Sequence, residues 1–149
     1  MTVDGRTFEL KQFHFHAPSE NQINGTSFPM EAHFVHADSD GNLAVIALMF
    51  EEGASHPVIA ALWKQLPEHE GDTYTLEVSV DPLALLPQET DYYRFNGSLT
   101  TPPCSEGVWW LVMKHPVTVS AKQIASFAHA LHEPNNRPVL PVNARPVLQ

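Results

Sequence analysis

The sequence predicts a mainly β, α+β fold: a predominantly antiparallel central sheet with short peripheral helices. Three observations carry that expectation. Apolar and polar residues alternate with a period of two over several short segments, as in half-buried strands. Only two short stretches show helical spacing, and the strands follow one another instead of alternating with helices. Thirteen prolines in 149 residues exceed the usual share of about 5% and favour short elements joined by turns. With 43% hydrophobic and 17% charged residues, the chain reads as one globular domain covering residues 1–149, long enough to bury a core.

The elements follow in order. Over residues 8–16, Phe8, Leu10, Gln12, His14 and His16 share one face, and Phe13 and Phe15 point the other way. Residues 19–28 contain Asn, Gly and Ser and read as a loop. A second strand at 30–37 puts Glu31, His33 and Val35 on one face and Met30, Ala32, Phe34 and His36 on the other. Asp38-Ser-Asp-Gly-Asn42 is hairpin turn chemistry. It leads into Leu-Ala-Val-Ile-Ala-Leu-Met-Phe at 43–50, an unbroken apolar run expected to be a central strand covered on both faces.

Ser55-His-Pro57 offers an N-cap and a proline in the first turn of a helix carrying Val58, Ile59, Leu62 and Leu66. Tyr74, Leu76, Val78 and Val80 alternate as a strand that stops at Asp81-Pro82. Asn96-Gly97 marks a turn, and 108–113 resumes strand character. Ser120 and Gln123 form a capping box for a helix to about His132, its buried stripe being Ile124, Phe127, Ala128 and Leu131. The tail, 137–149, is extended and punctuated by proline.

Eight Lys plus Arg against seventeen Asp plus Glu leave a net charge of −9, which repels nucleic acid and anionic lipid, and no basic cluster offsets it. The longest apolar run, eight residues, falls short of the roughly twenty that span a bilayer. There is no Gly-rich phosphate loop, no G-x-S-x-G and no C-x-x-C. The first residues, Met-Thr-Val-Asp-Gly-Arg, contain no export signal. Cys104 is the only cysteine, which excludes an intrachain disulfide and a multi-thiolate zinc site, whereas nine histidines offer imidazole ligands.

Strand alternation projects His14 and His16 from one face, two residues apart, within reach of one ion. The pair is equally a polar strand face. His33 joins it if the second strand lies antiparallel beside the first, and three imidazoles with no fourth protein ligand leave an open position, as in catalytic zinc sites. Gln12 and Glu31 each stand two residues before a candidate ligand on the same face, where they could accept its other N–H. Their plainer role is as polar positions on a wet face. His36 has the wrong parity, and His129 and His132 read as a solvated helix face.

Gln12-Phe-His-Phe-His16, Ser19-Glu20, Glu31-Ala-His-Phe-Val-His36, Asn42-Leu-Ala-Val45, Gly97-Ser-Leu-Thr-Thr-Pro-Pro103 and Asn135-Asn-Arg-Pro138 together resemble the α-class carbonic anhydrases, in the family's order. The Pro-Ser-Glu-Asn and Phe-Pro-Met-Glu-Ala-His wording resembles the bacterial branch. The resemblance implies zinc held by His14, His16 and His33, with Gln12 oriented to His14 and Glu31 to His33. It implies that Thr100 is the gatekeeper threonine that orients the hydroxide nucleophile, and that Glu20 accepts the threonine's proton. Val35, Val45, Leu99, Val108 and Trp110 match the apolar wall where carbon dioxide sits, and Thr101 the polar residue beside it.

The implied activity is reversible, zinc-dependent hydration of carbon dioxide to bicarbonate and a proton, open to sulfonamide and anion inhibitors. The alternative is a truncated, non-catalytic zinc-binding chain of the same family. The family pattern matches from its middle onward, so roughly its first third, with the usual proton-shuttle histidine, has no counterpart in this chain. Cys104 resembles half of a disulfide found in secreted members. On that resemblance the complete protein is expected in the periplasm or outside the cell, with a signal peptide and a second cysteine encoded upstream.

Overall fold

The computed structural model describes residues 1–67, 69, 71–77 and 79–149. The chain opens on a small hairpin, β1 (Thr2–Val3) and β2 (Arg6–Thr7), turned through Asp4 and Gly5. Then come β3 (Glu9–His16), β4 (Met30–Ala37) and β5 (Leu43–Glu52), an antiparallel meander. The 38–42 turn closes as its chemistry predicts: Asp38 Oδ1 accepts the N–H groups of Asp40 and Asn42. After helix α1 (Pro57–Leu62), strands β6 (Tyr92–Ser98), β7 (Glu106–Met113) and β8 (Val117–Val119) precede helix α2 (Ala121–Leu131).

The six-stranded sheet runs β3-β4-β5-β7-β6, with β8 beside β5. It is predominantly antiparallel, as expected, in the pairs β3-β4, β4-β5 and β6-β7, but mixed at its centre, where β7 and β8 both lie parallel to β5. A parallel neighbour requires a long crossover, and the segment between β5 and β7, which carries α1 and β6, supplies it. β5 is the central strand the apolar run predicts. Leu48 and Phe50 face a core shared with Met30, Ala32, Phe34, Ile59 of α1 and Phe127 of α2, whereas Val45, Ala47 and Met49 face Val108, Trp110 and Val112 across the sheet. The helices thus cover one face, and by strand parity His33 and Glu31 look out from the other.

Several expectations are corrected. A bulge between Leu10 and Gln12 breaks the alternation of β3: Leu10 pairs with His36, Gln12 with Val35. Leu10 therefore lies on the face opposite Gln12, His14 and His16. Asn96-Gly97 is no turn but part of β6, paired with Trp109 and Val108. The glycine answers a close approach, because a Cβ there would stand 2.9 Å from Trp110 Cδ1 and 3.1 Å from Phe95 Cε2. Of the strand expected from Tyr74 to Val80, Val78 lies outside the described residues and the rest forms no strand. A 3-10 turn (Pro82–Leu85), capped by the Asp81 carboxylate, follows instead.

Helix α1 starts from His56, not Ser55, with Pro57 in its first turn. Helix α2 has the predicted capping box. Its buried residues are Gln123 and Phe127, while Ala128 is exposed. Gln123 tolerates burial because its amide is satisfied: Oε1 accepts His56 N–H at 3.0 Å and Nε2 donates to the His56 carbonyl at 2.8 Å, tying the starts of the two helices together.

Candidate metal centre

Register brings the histidines together. His14 lies opposite His33, and His16 opposite Glu31, in the β3-β4 ladder. One ligand atom from each of His14, His16 and His33 lies within 4.8 Å of the others, and no other such group of three occurs among the described residues. His16 and His33 are buried and His14 half-buried.

Each ring has its second nitrogen committed to an oxygen that can only accept. His14 Nδ1–H donates to Gln12 Oε1 at 2.8 Å, His16 Nδ1–H to the Asn135 carbonyl at 3.1 Å, and His33 Nε2–H to Glu31 Oε1 at 2.8 Å. This fixes the tautomers and leaves His14 Nε2, His16 Nε2 and His33 Nδ1 as lone-pair donors. His16 Nε2 is buried without a hydrogen-bond partner, a costly state for a polar atom unless an ion completes it. Burial first, then the neighbouring His33 and His16, holds the His14 imidazole down to about 4, and burial followed by His33 lowers His16. Both are neutral at pH 7, the form that ligates a metal.

Glu31, 0% exposed, is the hub beneath the site. Burial alone would raise its carboxyl; the hydrogen bond from His33, with the Asn21 bonds, outweighs it and holds the group below the usual carboxylate range. Its oxygens accept from His33, from the backbone N–H of Glu20 (2.7 Å) and Asn21 (2.8 Å), and from Asn21 Nδ2 (2.6 Å). Glu31 thereby also positions the loop bearing Glu20.

Glu20 Oε1 accepts the Arg137 backbone N–H at 2.6 Å. Its Oε2 is buried with no hydrogen-bond partner, 3.6 Å from His16 Nε2 and 4.0 Å from His33 Nδ1. The Thr100 hydroxyl, expected to donate there, makes no hydrogen bond to it in this conformation. Glu20, Thr100, Trp110 and Arg137 line one open cleft of about 1180 Å³ that extends to β6 and the 139–149 tail and does not include the three histidines.

Val45, Val108 and Trp110 are buried in one cluster against which Val35 and Leu99 pack, so the five apolar wall residues are contiguous. The Trp110 ring meets His33 edge-on at 4.8 Å, and its Nε1–H donates to the Ser98 carbonyl. Thr101 is exposed at the margin. His36 turns its ring to the Phe34 carbonyl, away from the site, as parity requires. Asn135, Arg137 and Asn21 were given no role from the sequence. Only the quoted Asn-Asn-Arg-Pro motif marked the first two, because nothing local connects them to residues more than a hundred positions earlier.

A family model described as eukaryotic-type carbonic anhydrase matches residues 1–149. The chain belongs to this family. A carbonic anhydrase of Pectobacterium atrosepticum is 53% identical over 148 residues, covering 99% of this chain and 61% of that protein, and one of Klebsiella pneumoniae is 51% identical over 149 residues, with 61% of it covered. Among solved structures, the Thermovibrio ammonificans α-carbonic anhydrase in complex with the inhibitor sulfanilamide superposes with a TM-score of 0.97 at 51% identity, covering 99% of this chain and 65% of that one. The Photobacterium profundum α-carbonic anhydrase gives 0.95 at 52%, covering 99% and 68%. The chain thus spans between 61% and 68% of the length of these carbonic anhydrases.

Proposed function

We propose that this chain carries the zinc centre of a carbonic anhydrase, which reversibly hydrates carbon dioxide to bicarbonate and a proton. The observation that supports it best is the convergence of three imidazoles whose outward nitrogens are each anchored and whose inward nitrogens include a buried orphan, His16 Nε2. The donor set suits zinc, which takes imidazole nitrogen and in catalytic sites keeps three protein ligands. A zinc ion so held supplies Lewis acidity that brings the pKa of water at the metal to about 7, against 15.7 in bulk, values known from this enzyme family itself.

The chain's own residues do the rest. Gln12, the Asn135 carbonyl and Glu31 keep the rings aimed, each with a lone pair toward the site. Glu20 Oε2, buried and without a donor, is the acceptor toward which Thr100 turns its O–H. A hydroxyl committed in that way offers only lone pairs to the attacking oxygen, so it turns that oxygen's own lone pair to carbon dioxide. The wall of Val35, Val45, Leu99, Val108 and Trp110 gives a weakly polar gas a dry place beside the nucleophile, with Thr101 at its rim.

A second function, zinc binding without catalysis, is favoured by the open contact between Glu20 and Thr100. Carbon dioxide hydration measured with zinc quantified in the same sample separates the two. Activity that tracks zinc content, and a zinc-replete Thr100→Ala chain with most of that activity lost, are expected. A zinc-replete, folded wild-type chain with no hydration activity would leave only the second function. Aromatic sulfonamides are expected to bind the zinc-loaded chain, and binding that survives removal of zinc would count against the assigned centre.

A further inference from the structure

Two asparagine-glycine pairs occur in the chain, Asn24-Gly25 and Asn96-Gly97, and the fold treats them in opposite ways. Both asparagines are exposed. Asn24 and Gly25 form the tip of a tight turn in the loop between β3 and β4. The Ile23 N–H donates to the Thr26 carbonyl at 3.1 Å and the Thr26 N–H to the Ile23 carbonyl at 3.0 Å, closing the turn. Both central residues have left-handed φ, +52° at Asn24 and +78° at Gly25, the type I′ geometry that Asn-Gly favours. Among the described residues, neither the peptide group between them nor the Asn24 side chain has a hydrogen-bond partner.

This turn stands one rotation away from a reaction. When the Gly25 nitrogen closes a five-membered ring onto the Asn24 side chain, it must come into line with Asn24 Cβ, which in an L-residue sets ψ to about −120°. That ψ with φ of about +60° is the first central position of a type II′ turn. Asn24 already holds the required φ, so only the unbonded 24–25 peptide plane has to turn. Glycine also puts no side chain beside the attacking nitrogen.

We propose that Asn24 is a site of spontaneous deamidation, with Gly25 supplying the nucleophile. The Gly25 nitrogen bonds to Asn24 Cγ and gives up its proton, the Cγ–Nδ2 bond breaks, and ammonia departs with that proton, leaving a succinimide. Water then opens the ring by adding to one of its two carbonyls and breaking that carbonyl's bond to nitrogen. Opening at Cγ gives aspartate and opening at the backbone carbonyl gives isoaspartate; nothing is oxidised or reduced. The product sets a carboxylate at the rim of the cleft that Glu20, Thr100 and Arg137 also line. Isoaspartate in addition lengthens the main chain by a carbon between the paired Ile23 and Thr26. The base of the loop is held separately, by the Ser19 N–H on the Phe28 carbonyl and by the Glu20 and Asn21 N–H groups on Glu31.

Asn96 has the same neighbour without the same freedom. It lies in β6 opposite Trp109, with Gly97 opposite Val108, and its carbonyl accepts from Arg145 at 3.4 Å. Ring closure there waits for β6 to leave β7, and an opening within a core sheet is far rarer than motion at a turn tip.

The folded chain, incubated at pH 8 and 37 °C, would be followed by peptide mapping with mass spectrometry and by isoaspartyl methyltransferase labelling. Residue 24 is expected to convert to aspartate and isoaspartate with ammonia released in step, and to outpace residue 96 by more than about tenfold. In concentrated urea, where neither turn nor ladder persists, the two sites should convert at similar rates, which assigns the difference to the fold. Asn24→Gln, whose longer side chain disfavours the five-membered ring, should lose the methyltransferase label at this turn. Equal conversion of the two sites in the folded chain, an unconverted residue 24, or a label that persists in Asn24→Gln would each overturn the proposal.

Discussion

Glu31 and Gln12 do the same chemical task for different rings, yet their surroundings set different consequences. Gln12 is exposed and its side chain bonds to His14, whereas Glu31 is fully buried and serves His33, Glu20 and Asn21 together. Both substitutions to alanine should weaken zinc binding by about 10–100-fold. Only Glu31→Ala should also destabilise the fold, by about 1–3 kcal/mol for each buried donor that it leaves without an acceptor. Urea denaturation of the metal-free variants measures this, and equal midpoints for the two would show that Glu31 carries no structural load. His33→Ala should lose most of the metal and His36→Ala should keep it, the two residues lying on opposite faces of β4.

Much of this was legible in residue type and parity: alternation grouped Gln12, His14 and His16 on one face of β3 and Glu31 and His33 on one face of β4, because a strand's period is fixed at two. It misplaced Leu10, since a bulge adds a residue that no pattern in 8–16 announces. It could not find Asn135, which acts on residues 15–17 from 118 to 120 positions away.

Among the elements, the junction of α1 and α2 shows where local signals suffice and where they fail. The Ser120 and Gln123 capping box was readable from spacing. That Gln123 also binds both backbone groups of His56 was not, being a tertiary contact across 67 positions. Ser120→Ala should therefore cost about 1 kcal/mol, the ordinary loss of an N-cap. Gln123→Ala should cost clearly more, because it leaves the part-buried N–H groups of His56 and Ser120 without an acceptor, each worth about 1–3 kcal/mol. Equal destabilisation by the two in urea would reduce Gln123 to a capping residue alone. The turn expected at Asn96-Gly97 failed for a related reason. Glycine signals either a left-handed backbone or a close approach, and only the packed Trp110 ring tells which one applies.

Across the molecule as a whole, four histidines are held neutral at pH 7. Burial is the leading cause that lowers His14, His16, His36 and His56 below their ordinary 6.5. As pH falls through 6.5 the unfolded chain takes up protons that the folded chain refuses, so stability drains away until the folded values are reached, about 4 for His14. The metal-free chain should accordingly show a lower urea midpoint at pH 5.5 than at pH 7.5; an unchanged midpoint would mean that these rings are not held neutral. At this level the sequence foretold the class of fold and the meander that bears the site. It missed the parallel pairing of β5 with β7, because a crossover of more than fifty residues leaves no local trace of which strand it returns to.

The hydrogen bond from His16 to the Asn135 carbonyl also sets an order of events during synthesis. Two of the three imidazoles are aimed by partners two residues away, so pairing β3 with β4 completes them. The third waits for a residue 119 positions downstream, which at about 5–20 residues per second emerges roughly 6–24 s later. A nascent chain therefore presents two aimed rings and one free one until the segment at Asn135 has emerged and folded back onto β3.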